Sequence, residues 1–243
     1  MTSAAPPSAH STARTRIKIC GLTREQDVDA AVAAGADAVG FVLYSQSPRF
    51  VTPQRAAELA RRLPPMVTPV LLLVNANATE IEAACASVMG ATLQFHGDET
   101  PAQCADAATQ AGRPYWRAAR IPSAPAPDFD LLKFAHDYAS AQALLLDAHV
   151  DGYGGGGKTF DWSLLPPSVP AHLVLSGGLT PANVGDGIAH LRGRGFSLAV
   201  DVSSGVEAQG PDGKPLKGIK DADKILAFAR AVRAADAQNS IAT

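Results

Sequence analysis

The sequence has 243 residues, of which 47% are apolar and 18% are charged, and its formal net charge is −2 at pH 7. This length and composition suit either two small domains or one large α/β barrel with a sizeable core. The charge gives no electrostatic reason to expect a nucleic acid or an anionic membrane as a partner. The three cysteines, Cys20, Cys85 and Cys104, contain no C-x-x-C pair. They suggest neither a zinc site nor a disulfide framework, and they favour a reduced, cytoplasmic setting.

Two terminal tails flank the patterned part of the chain. Residues 1–15 are rich in Ser, Ala, Thr and Pro and lack the apolar core of a signal peptide, so we expect a disordered tail there. Residues 236–243 are predicted to form a second tail. Over residues 16–235, short apolar or β-branched runs alternate with alanine-rich segments, without a domain boundary. No apolar run reaches the ~18 residues that a membrane helix needs.

Eight of the short runs have the composition of β-strands, and they are residues 16–20, 38–43, 68–74, 92–96, 115–120, 143–147, 173–177 and 197–201. Five of the intervening segments open on a threonine, a good helix N-cap, at Thr23, Thr52, Thr79, Thr100 and Thr180. Strands that alternate with helices imply a parallel sheet. Eight units in about 220 residues predict a single (β/α)₈ barrel. A doubly wound sheet would show fewer strands and a G-x-G-x-x-G after the first.

A glycine-rich stretch, GYGGGGKT over residues 152–159, matches the P-loop pattern G-x-x-x-x-G-K-[ST]. A working P-loop needs a helix that starts at its Lys-Thr pair, whereas Pro166 and Pro167 stop any helix here within about two turns. We therefore favour a mobile loop over an active site, spanning residues 151–158. A nucleotide-binding P-loop and a surface loop without a role are the alternatives.

Chemically active side chains end two of the predicted strands, where a parallel barrel places its catalytic groups. Cys20 ends the first strand and Asp147 the sixth. Because side chains alternate along a strand, Lys18 and Cys20 face the barrel interior if the neighbouring isoleucines pack against helices. The ordinary alternatives are an inert buried thiol for Cys20 and a helix cap or salt bridge for Asp147. Asp201 ends strand eight and is the expected partner of Lys18, since closure brings strand eight beside strand one.

Candidate substrate-binding groups follow the other strands. The loops after strands seven and eight are the usual phosphate site of such barrels, and both are small and glycine-rich here. Arg49 follows strand two and has a guanidinium suited to a carboxylate. Gln94 and His96 alternate on strand four and either line the mouth or make structural polar contacts. The candidate binding residues are Arg49, Gln94, His96, Gly177, Gly178, Asp201, Ser203, Ser204 and Gly205.

Six motifs between about Arg16 and Arg233 resemble the phosphoribosylanthranilate isomerases of tryptophan biosynthesis. They are KICG, SPRFV, LQFHGDE, LLLD with GGGGKTFDW, LSGGLTPANV and DVSSGVE. The resemblance implies a (β/α)₈ barrel that catalyses the Amadori rearrangement of N-(5-phosphoribosyl)anthranilate to 1-(2-carboxyphenylamino)-1-deoxyribulose 5-phosphate. It implies an aldose–ketose isomerase that uses no cofactor and no metal. We expect a small phosphorylated substrate, no nucleic-acid or membrane partner, and a monomer or homodimer.

By the same resemblance, Cys20 is the general base, Asp147 is the general acid, and Arg49 holds the anthranilate carboxylate. Backbone amides of the SGGL and DVSSG loops hold the phosphate. An aspartic acid kept protonated by apolar surroundings can protonate the ring oxygen, and a thiolate can then remove the hydrogen on the second ribose carbon. A free thiol has a pKa of ~8.5, so Cys20 needs activation by its site or by the cationic intermediate, and the sequence leaves both open.

Two stretches depart from the family pattern. Gly156 occupies a position where the family's glycine loop commonly has a threonine. Residues 207–221 are longer than expected after strand eight, so we interpret them as a surface insertion that leaves the start of the last helix open. Two rival functions remain on the same fold. A barrel like indole-glycerol-phosphate synthase would carry catalytic lysines and a glutamate at its strand ends, and a catalytically silent barrel would tolerate loss of Cys20.

Overall fold

Eight parallel strands form a closed barrel in the computed structural model, which describes residues 14–122, 129–148 and 159–241. Each strand pairs with the next along the chain, and β8 pairs back to β1. The strands are β1 Arg16–Cys20, β2 Ala38–Val42, β3 Thr68–Leu73, β4 Thr92–Phe95, β5 Tyr115–Ile121, β6 Ala143–Ala148, β7 His172–Leu175 and β8 Ser197–Val202. The predicted (β/α)₈ barrel is confirmed, and every predicted strand is present with nearly the predicted bounds.

Seven α-helices lie outside the strands in the part of the chain that the structure describes. They are α1 Glu25–Ala33, α2 Pro53–Ala60, α3 Ala78–Ser87, α4 Pro101–Ala111, α5 Leu131–Asp137, α6 Val184–Leu191 and α7 Ala222–Ile241. None of these described helices is long and apolar enough to cross a membrane.

The segment between β6 and β7 bears on the P-loop alternative. From Thr159 to the start of β7, the described chain contains a single 3₁₀ turn at Trp162–Leu164 and no α-helix. A P-loop needs a helix at its Lys-Thr pair, so the nucleotide-binding alternative is wrong. The predicted mobile loop over residues 151–158, which includes Gly156, lies outside the described residues.

Alternation along the strands separates two apolar layers. Ile17 and Ile19 belong to the main core, where strand residues pack with helix residues such as Val28 and Leu59. A smaller cluster comes from the opposite face of β5, β6 and β7 and fills the barrel interior, and it consists of Ala118, Ala143, Leu145 and Val174. Lys18 and Cys20 alternate with the two isoleucines and are almost fully buried, at 1% and 3% exposure. They therefore face the interior, as the sequence predicts.

The terminal tails need a correction. The tail predicted over residues 236–243 is wrong up to Ile241, because α7 continues to that residue. Asp236 has hydrogen-bond partners that a solvated tail would lack. It accepts hydrogen bonds from the backbone and hydroxyl of Thr15, at 2.9 and 2.6 Å, and from Arg192 at 2.6 Å. Thr15, which the sequence places in the N-terminal tail, is itself 1% exposed, and residues 1–13 lie outside the described residues.

The segment after β8 forms an antiparallel hairpin, with strands β9 Glu207–Gln209 and β10 Pro215–Lys220. Its tip is exposed, but Glu207 and Lys220 at its base are only 2% and 3% exposed. The prediction of a surface insertion therefore holds for the tip and is wrong for the base. The charges at the base can be buried because Glu207 pairs with both Lys220 and Arg49.

Candidate active site

The carboxyl ends of the barrel strands bring the two predicted catalytic side chains around one opening. Cys20 is the last residue of β1, and Asp147 is the penultimate residue of β6. Both are nearly buried, at 3% and 5% exposure. Because β1 and β6 are far apart in the strand order, closure of the barrel is what places them around the same pocket.

A buried ion pair lies beside Cys20. Lys18 Nζ donates to Asp201 Oδ1 at 2.7 Å, and Ser176 Oγ donates to Asp201 Oδ2 at 3.2 Å. The predicted contact between Lys18 and Asp201 is confirmed. Burial alone would lower the pKa of Lys18, but the adjacent Asp201 carboxylate and Cys20 sulfur outweigh it and raise the pKa above its usual value. Lys18 is therefore a fixed cation under the barrel mouth.

The Cys20 thiol is protonated at neutral pH. Burial raises its pKa, the charge of Lys18 opposes this without cancelling it, and Asp201 raises the pKa further. The sulfur fits because the neighbouring strand carries Gly40 opposite Cys20. A Cβ at Gly40 would lie 2.5 Å from Cys20 Sγ, so any larger residue there would displace the thiol.

Asp147 heads a chain of three buried polar side chains. His96 Nε2 lies 3.0 Å from Asp147 Oδ2, and Gln94 Nε2 lies 3.0 Å from His96 Nδ1. Their exposures are 5%, 5% and 0% for Asp147, His96 and Gln94. The other carboxylate oxygen, Oδ1, faces Gly177, where an added Cβ would come within 3.0 Å of it. His96 thus contacts the candidate acid directly, and Gln94 is linked to it through His96.

Arg49 is held by the carboxylate of Glu207, a partner that the sequence analysis does not predict. Its Nε and Nη2 donate to Glu207 Oε1 and Oε2 at 2.7 and 3.0 Å, which is a two-point clamp. Glu207 Oε1 also accepts from the Gly218 backbone at 2.8 Å and from Lys220 at 3.3 Å. Burial alone would raise the pKa of Glu207, but Arg49 and Lys220 outweigh it and lower the pKa.

Lys220 adds a second cation near the glycine loops. Its Nζ donates to the carbonyl and hydroxyl oxygens of Ser203 at 2.9 and 3.2 Å. Burial lowers its pKa to about 8, with Glu207 acting in the opposite direction. At neutral pH it is mainly charged, so positive charge lies beside the loop that follows β8.

The two predicted phosphate loops meet in the structure. Gly177 and Gly178 have φ angles of 79° and 62°, a conformation that favours glycine. Gly205 packs so closely on the first loop that an added Cβ would overlap the carbonyl oxygen of Leu179. Ser204 begins a short 3₁₀ turn at Ser204–Val206, which follows β8. The loops after β7 and β8 therefore form one continuous wall.

The same wall reaches Arg49. A Cβ at Gly21 would lie 2.6 Å from Arg49 Cδ and 3.1 Å from Ser203 Oγ, so all three residues are close neighbours. Sequence reasoning missed Gly40, Glu207 and Lys220. Glu207 and Lys220 lie within the segment predicted to be a surface insertion. No local sequence pattern indicates that Glu207 contacts Arg49, which is 158 residues away.

The family model of N-(5'-phosphoribosyl)anthranilate (PRA) isomerase matches residues 17–231. The N-(5'-phosphoribosyl)anthranilate isomerase of Methylibium petroleiphilum is 63% identical over 225 residues, which cover 93% of this chain and 97% of the relative. The solved phosphoribosyl anthranilate isomerase of Thermotoga maritima is 38% identical with a TM-score of 0.76, covering 90% of this chain and 99% of that one.

A second solved phosphoribosyl anthranilate isomerase is in complex with reduced 1-(o-carboxyphenylamino)-1-deoxyribulose 5-phosphate. It is 34% identical with a TM-score of 0.71, and the match again covers 90% of this chain and 99% of that one. The family match spans nearly the whole barrel, and the relatives match along almost their full length. The chain belongs to the N-(5'-phosphoribosyl)anthranilate isomerase family.

Proposed function

We propose that Cys20 and Asp147 are the base and the acid with which this chain isomerises N-(5'-phosphoribosyl)anthranilate in tryptophan biosynthesis. The observation that carries these roles is the partner of each group. Cys20 has the cation of Lys18 beside it, and Asp147 has a hydrogen bond to His96 at 3.0 Å. Each partner stabilises the charge that its neighbour acquires when it acts.

The acid step opens the ribose ring. Asp147 donates its proton to the furanose oxygen as the bond from that oxygen to the first ribose carbon breaks. The lone pair of the anthranilate nitrogen then forms an iminium with this carbon. The carboxylate left on Asp147 keeps its hydrogen bond from His96, which stabilises the negative charge.

The base step removes the hydrogen on the second ribose carbon. The iminium acidifies this hydrogen, and the Cys20 thiolate takes the proton while the electron pair forms the carbon–carbon double bond of an enolamine. The enolamine then tautomerises to the ketone. Because burial raises the pKa of the free thiol, Cys20 needs both Lys18 and the positive charge of the iminium to ionise.

Arg49 and the glycine loops are suited to the two anionic ends of the substrate. Glu207 occupies the Nε and Nη2 side of Arg49, and no hydrogen bond between described residues engages Nη1, which remains for the anthranilate carboxylate. Backbone amides of the loops containing Gly177 and Ser204 hold the phosphate, with the Lys220 cation alongside. The complex of the solved relative contains a ligand with the same two anionic groups.

Steady-state kinetics on point variants test the catalytic roles, with the loss of anthranilate fluorescence as the readout. Cys20→Ala, Cys20→Ser and Asp147→Asn should each lower kcat by about 10²–10⁴-fold and leave KM within a few-fold, because none of them holds the phosphate or the carboxylate. Cys85→Ala and Cys104→Ala, in α3 and α4, are the matched controls and should keep kcat nearly intact. Near-wild-type turnover in Cys20→Ala or Asp147→Asn would contradict the proposed acid and base roles.

We also propose that the protein acts in the cytoplasm as a monomer or homodimer, without a nucleic-acid or membrane partner. The Thermotoga maritima relative is described as dimeric, with monomeric forms that were generated from it. Sedimentation of the purified chain measures the assembly, and a larger stable oligomer would contradict the proposal.

A further inference from the structure

We propose that Gln94 is a positioning residue that fixes the tautomer of His96 and so selects the oxygen of Asp147 that carries the acidic proton. The inference rests on the proposed role of Asp147 as the acid. It links Gln94 through His96 to Asp147, and it assigns the position of each hydrogen between these three side chains.

The hydrogen-bond geometry sets the direction of the chain. Gln94 presents its amide nitrogen to His96 Nδ1 at 3.0 Å, and an amide nitrogen can only donate. Nδ1 therefore accepts, and the ring hydrogen of neutral His96 sits on Nε2. That hydrogen points to Asp147 Oδ2, 3.0 Å away. Oδ2 is then an acceptor, so the proton of the carboxylic acid has to sit on Oδ1.

The position of Oδ1 suits an acid that must give its proton away. Oδ1 faces Gly177, whose missing side chain leaves room beside it, in a loop of the proposed phosphate wall. In the opposite arrangement, Gln94 would turn its oxygen to His96, the ring hydrogen would move to Nδ1, and Asp147 would donate to Nε2. Its proton would then be engaged with His96 and withheld from the substrate.

The cost of the Gln94 side chain supports a specific role. Gln94 Oε1 is buried and has no hydrogen-bond partner among the residues that the structure describes. A buried, unpaired amide oxygen destabilises the folded state relative to an apolar side chain of similar size. A leucine would avoid this cost but would lose the N–H that glutamine presents to His96.

The charged groups around Asp147 leave His96 as its direct ionisable contact among the described residues. On β5, Arg120 is the register neighbour of Asp147, but its guanidinium pairs with Asp98. On the other side, Leu175 ends β7 and Ser176 follows it, and neither side chain carries a charge. Across the barrel, β1 and β8 contribute Cys20 and the Lys18–Asp201 pair, whose charges compensate each other.

Nitrogen-15 NMR of histidine-labelled protein, recorded without substrate, tests the tautomer directly. His96, one of six histidines, is assigned by its loss in His96→Gln. The wild type should carry its ring hydrogen on Nε2. Gln94→Met, which keeps the chain length and removes the amide, should give a mixture of tautomers. A ring hydrogen on Nδ1 in the wild type, or an unchanged single tautomer in Gln94→Met, would overturn the proposal.

Kinetics of Gln94→Glu provide the second readout. A carboxylate at this position favours the imidazolium form of His96, which in turn favours ionised Asp147. We expect kcat to fall about tenfold or more at pH 7 with KM nearly unchanged, because an adjacent opposite charge shifts such an equilibrium by ~1–3 units. The ratio of variant to wild-type kcat should rise toward one as the pH is lowered and the added carboxylate loses its charge.

The controls separate this inference from the proposed function. Gln110→Glu, on the exposed face of α4, adds the same charge elsewhere and should change neither kcat nor its pH dependence. A pH-independent ratio for Gln94→Glu would contradict a role through Asp147. The NMR result does not depend on activity, so an Asp147→Asn variant with full turnover would sink the acid assignment and leave the tautomer measurement standing.

Discussion

Burial and the charge of Lys18 act in opposite directions on the ionisation of Cys20. Burial raises the pKa of the thiol the most, Lys18 lowers it, and Asp201 raises it by less than Lys18 lowers it. This balance addresses what the sequence leaves open, namely whether the site or the intermediate activates the base. The site alone leaves Cys20 protonated at neutral pH, so in the proposed mechanism the cationic intermediate completes the activation.

A double substitution tests this balance without leaving a buried charge unpaired. Lys18→Met combined with Asp201→Asn removes the ion pair and should raise the pKa of Cys20. We expect kcat at neutral pH to fall about tenfold for each unit of that rise. Because the thiolate forms in both proteins at high pH, the ratio of variant to wild-type kcat should approach one as the pH increases.

The matched control removes an exposed ion pair in the same way. Lys133→Met with Asp137→Asn, on α5, should leave the pH dependence of kcat unchanged. If the Lys18–Asp201 double variant showed a ratio that stays constant from neutral to alkaline pH, its effect would be structural, and Lys18 would have no part in activating Cys20.

Arg49 makes a second residue-scale prediction, about binding rather than chemistry. An ammonium cannot reproduce the planar fork of a guanidinium, so Arg49→Lys should weaken the hold on the anthranilate carboxylate. Loss of a hydrogen bond to a charged group predicts a KM about ten- to hundredfold higher, with kcat within a few-fold. Arg55→Lys, at the exposed bidentate pair with Glu25, is the control. An unchanged KM in Arg49→Lys would rule out a role of Arg49 in binding the anthranilate carboxylate.

At the scale of secondary-structure elements, the β9–β10 hairpin supports the proposed binding site. Glu207 at its base accepts from Arg49, from Lys220 and from the backbone of Gly218. Gly218 has a φ of 83°, and a Cβ there would lie 3.0 Å from the carbonyl oxygen of Pro48. The hairpin therefore packs on the Arg49 segment and fixes the direction of its guanidinium.

Glu207→Gln tests this support. A glutamine offers one acceptor oxygen where the carboxylate offers two, so Arg49 loses half of its clamp and becomes mobile. We expect a KM raised severalfold to about tenfold with little change in kcat. Combined with Arg49→Lys, the effect on KM should be smaller than the product of the single effects, because both substitutions weaken one unit.

Glu25→Gln, at the exposed partner of Arg55, is the control for Glu207→Gln and should leave KM unchanged. Strict additivity of Glu207→Gln and Arg49→Lys would show that the two residues act independently, which contradicts a supporting role for the hairpin.

Local rules predict the elements well and fail where a distant partner competes. Thr52 and Thr100 cap α2 and α4 as expected. Thr23 does not cap α1, because its hydroxyl donates to the carbonyl of Gly218 in the hairpin, 195 residues away. Thr79 is displaced by Asn77, whose side chain starts α3 two residues earlier with a capping box.

The candidate site likewise contains contacts that local rules predict and one contact that they do not. Strand alternation predicts the inward positions of Lys18 and Cys20, and closure of the barrel predicts the Lys18–Asp201 contact. The clamp of Glu207 on Arg49 has no such rule behind it. It joins the end of β8 to the loop after β2, and only the folded hairpin brings the two charges together.

At the scale of the whole molecule, the start and end of the barrel are tied together. Asp236 on α7 accepts from Thr15, just before β1, and from Arg192, which follows α6. Burial alone would raise the pKa of Asp236, but the hydrogen bonds from Thr15 and Arg192 outweigh it and lower the pKa. The last helix is thereby fixed against the strand that closes the barrel.

Asp236→Asn should destabilise the protein in a pH-dependent way. Loss of the charged acceptor should lower the free energy of unfolding by about 1–3 kcal/mol at neutral pH. Because the folded pKa of Asp236 lies below its unfolded value of ~3.9, this contribution is complete above that value and disappears as the pH falls through the folded pKa. Urea unfolding of both proteins from neutral to acidic pH measures the difference, which should shrink in acid. Asp106→Asn, at an exposed site on α4, should match the wild type throughout. If the difference in the free energy of unfolding between Asp236→Asn and wild type stayed unchanged in acid, the charge of Asp236 would not be what stabilises the contact of α7 with the barrel.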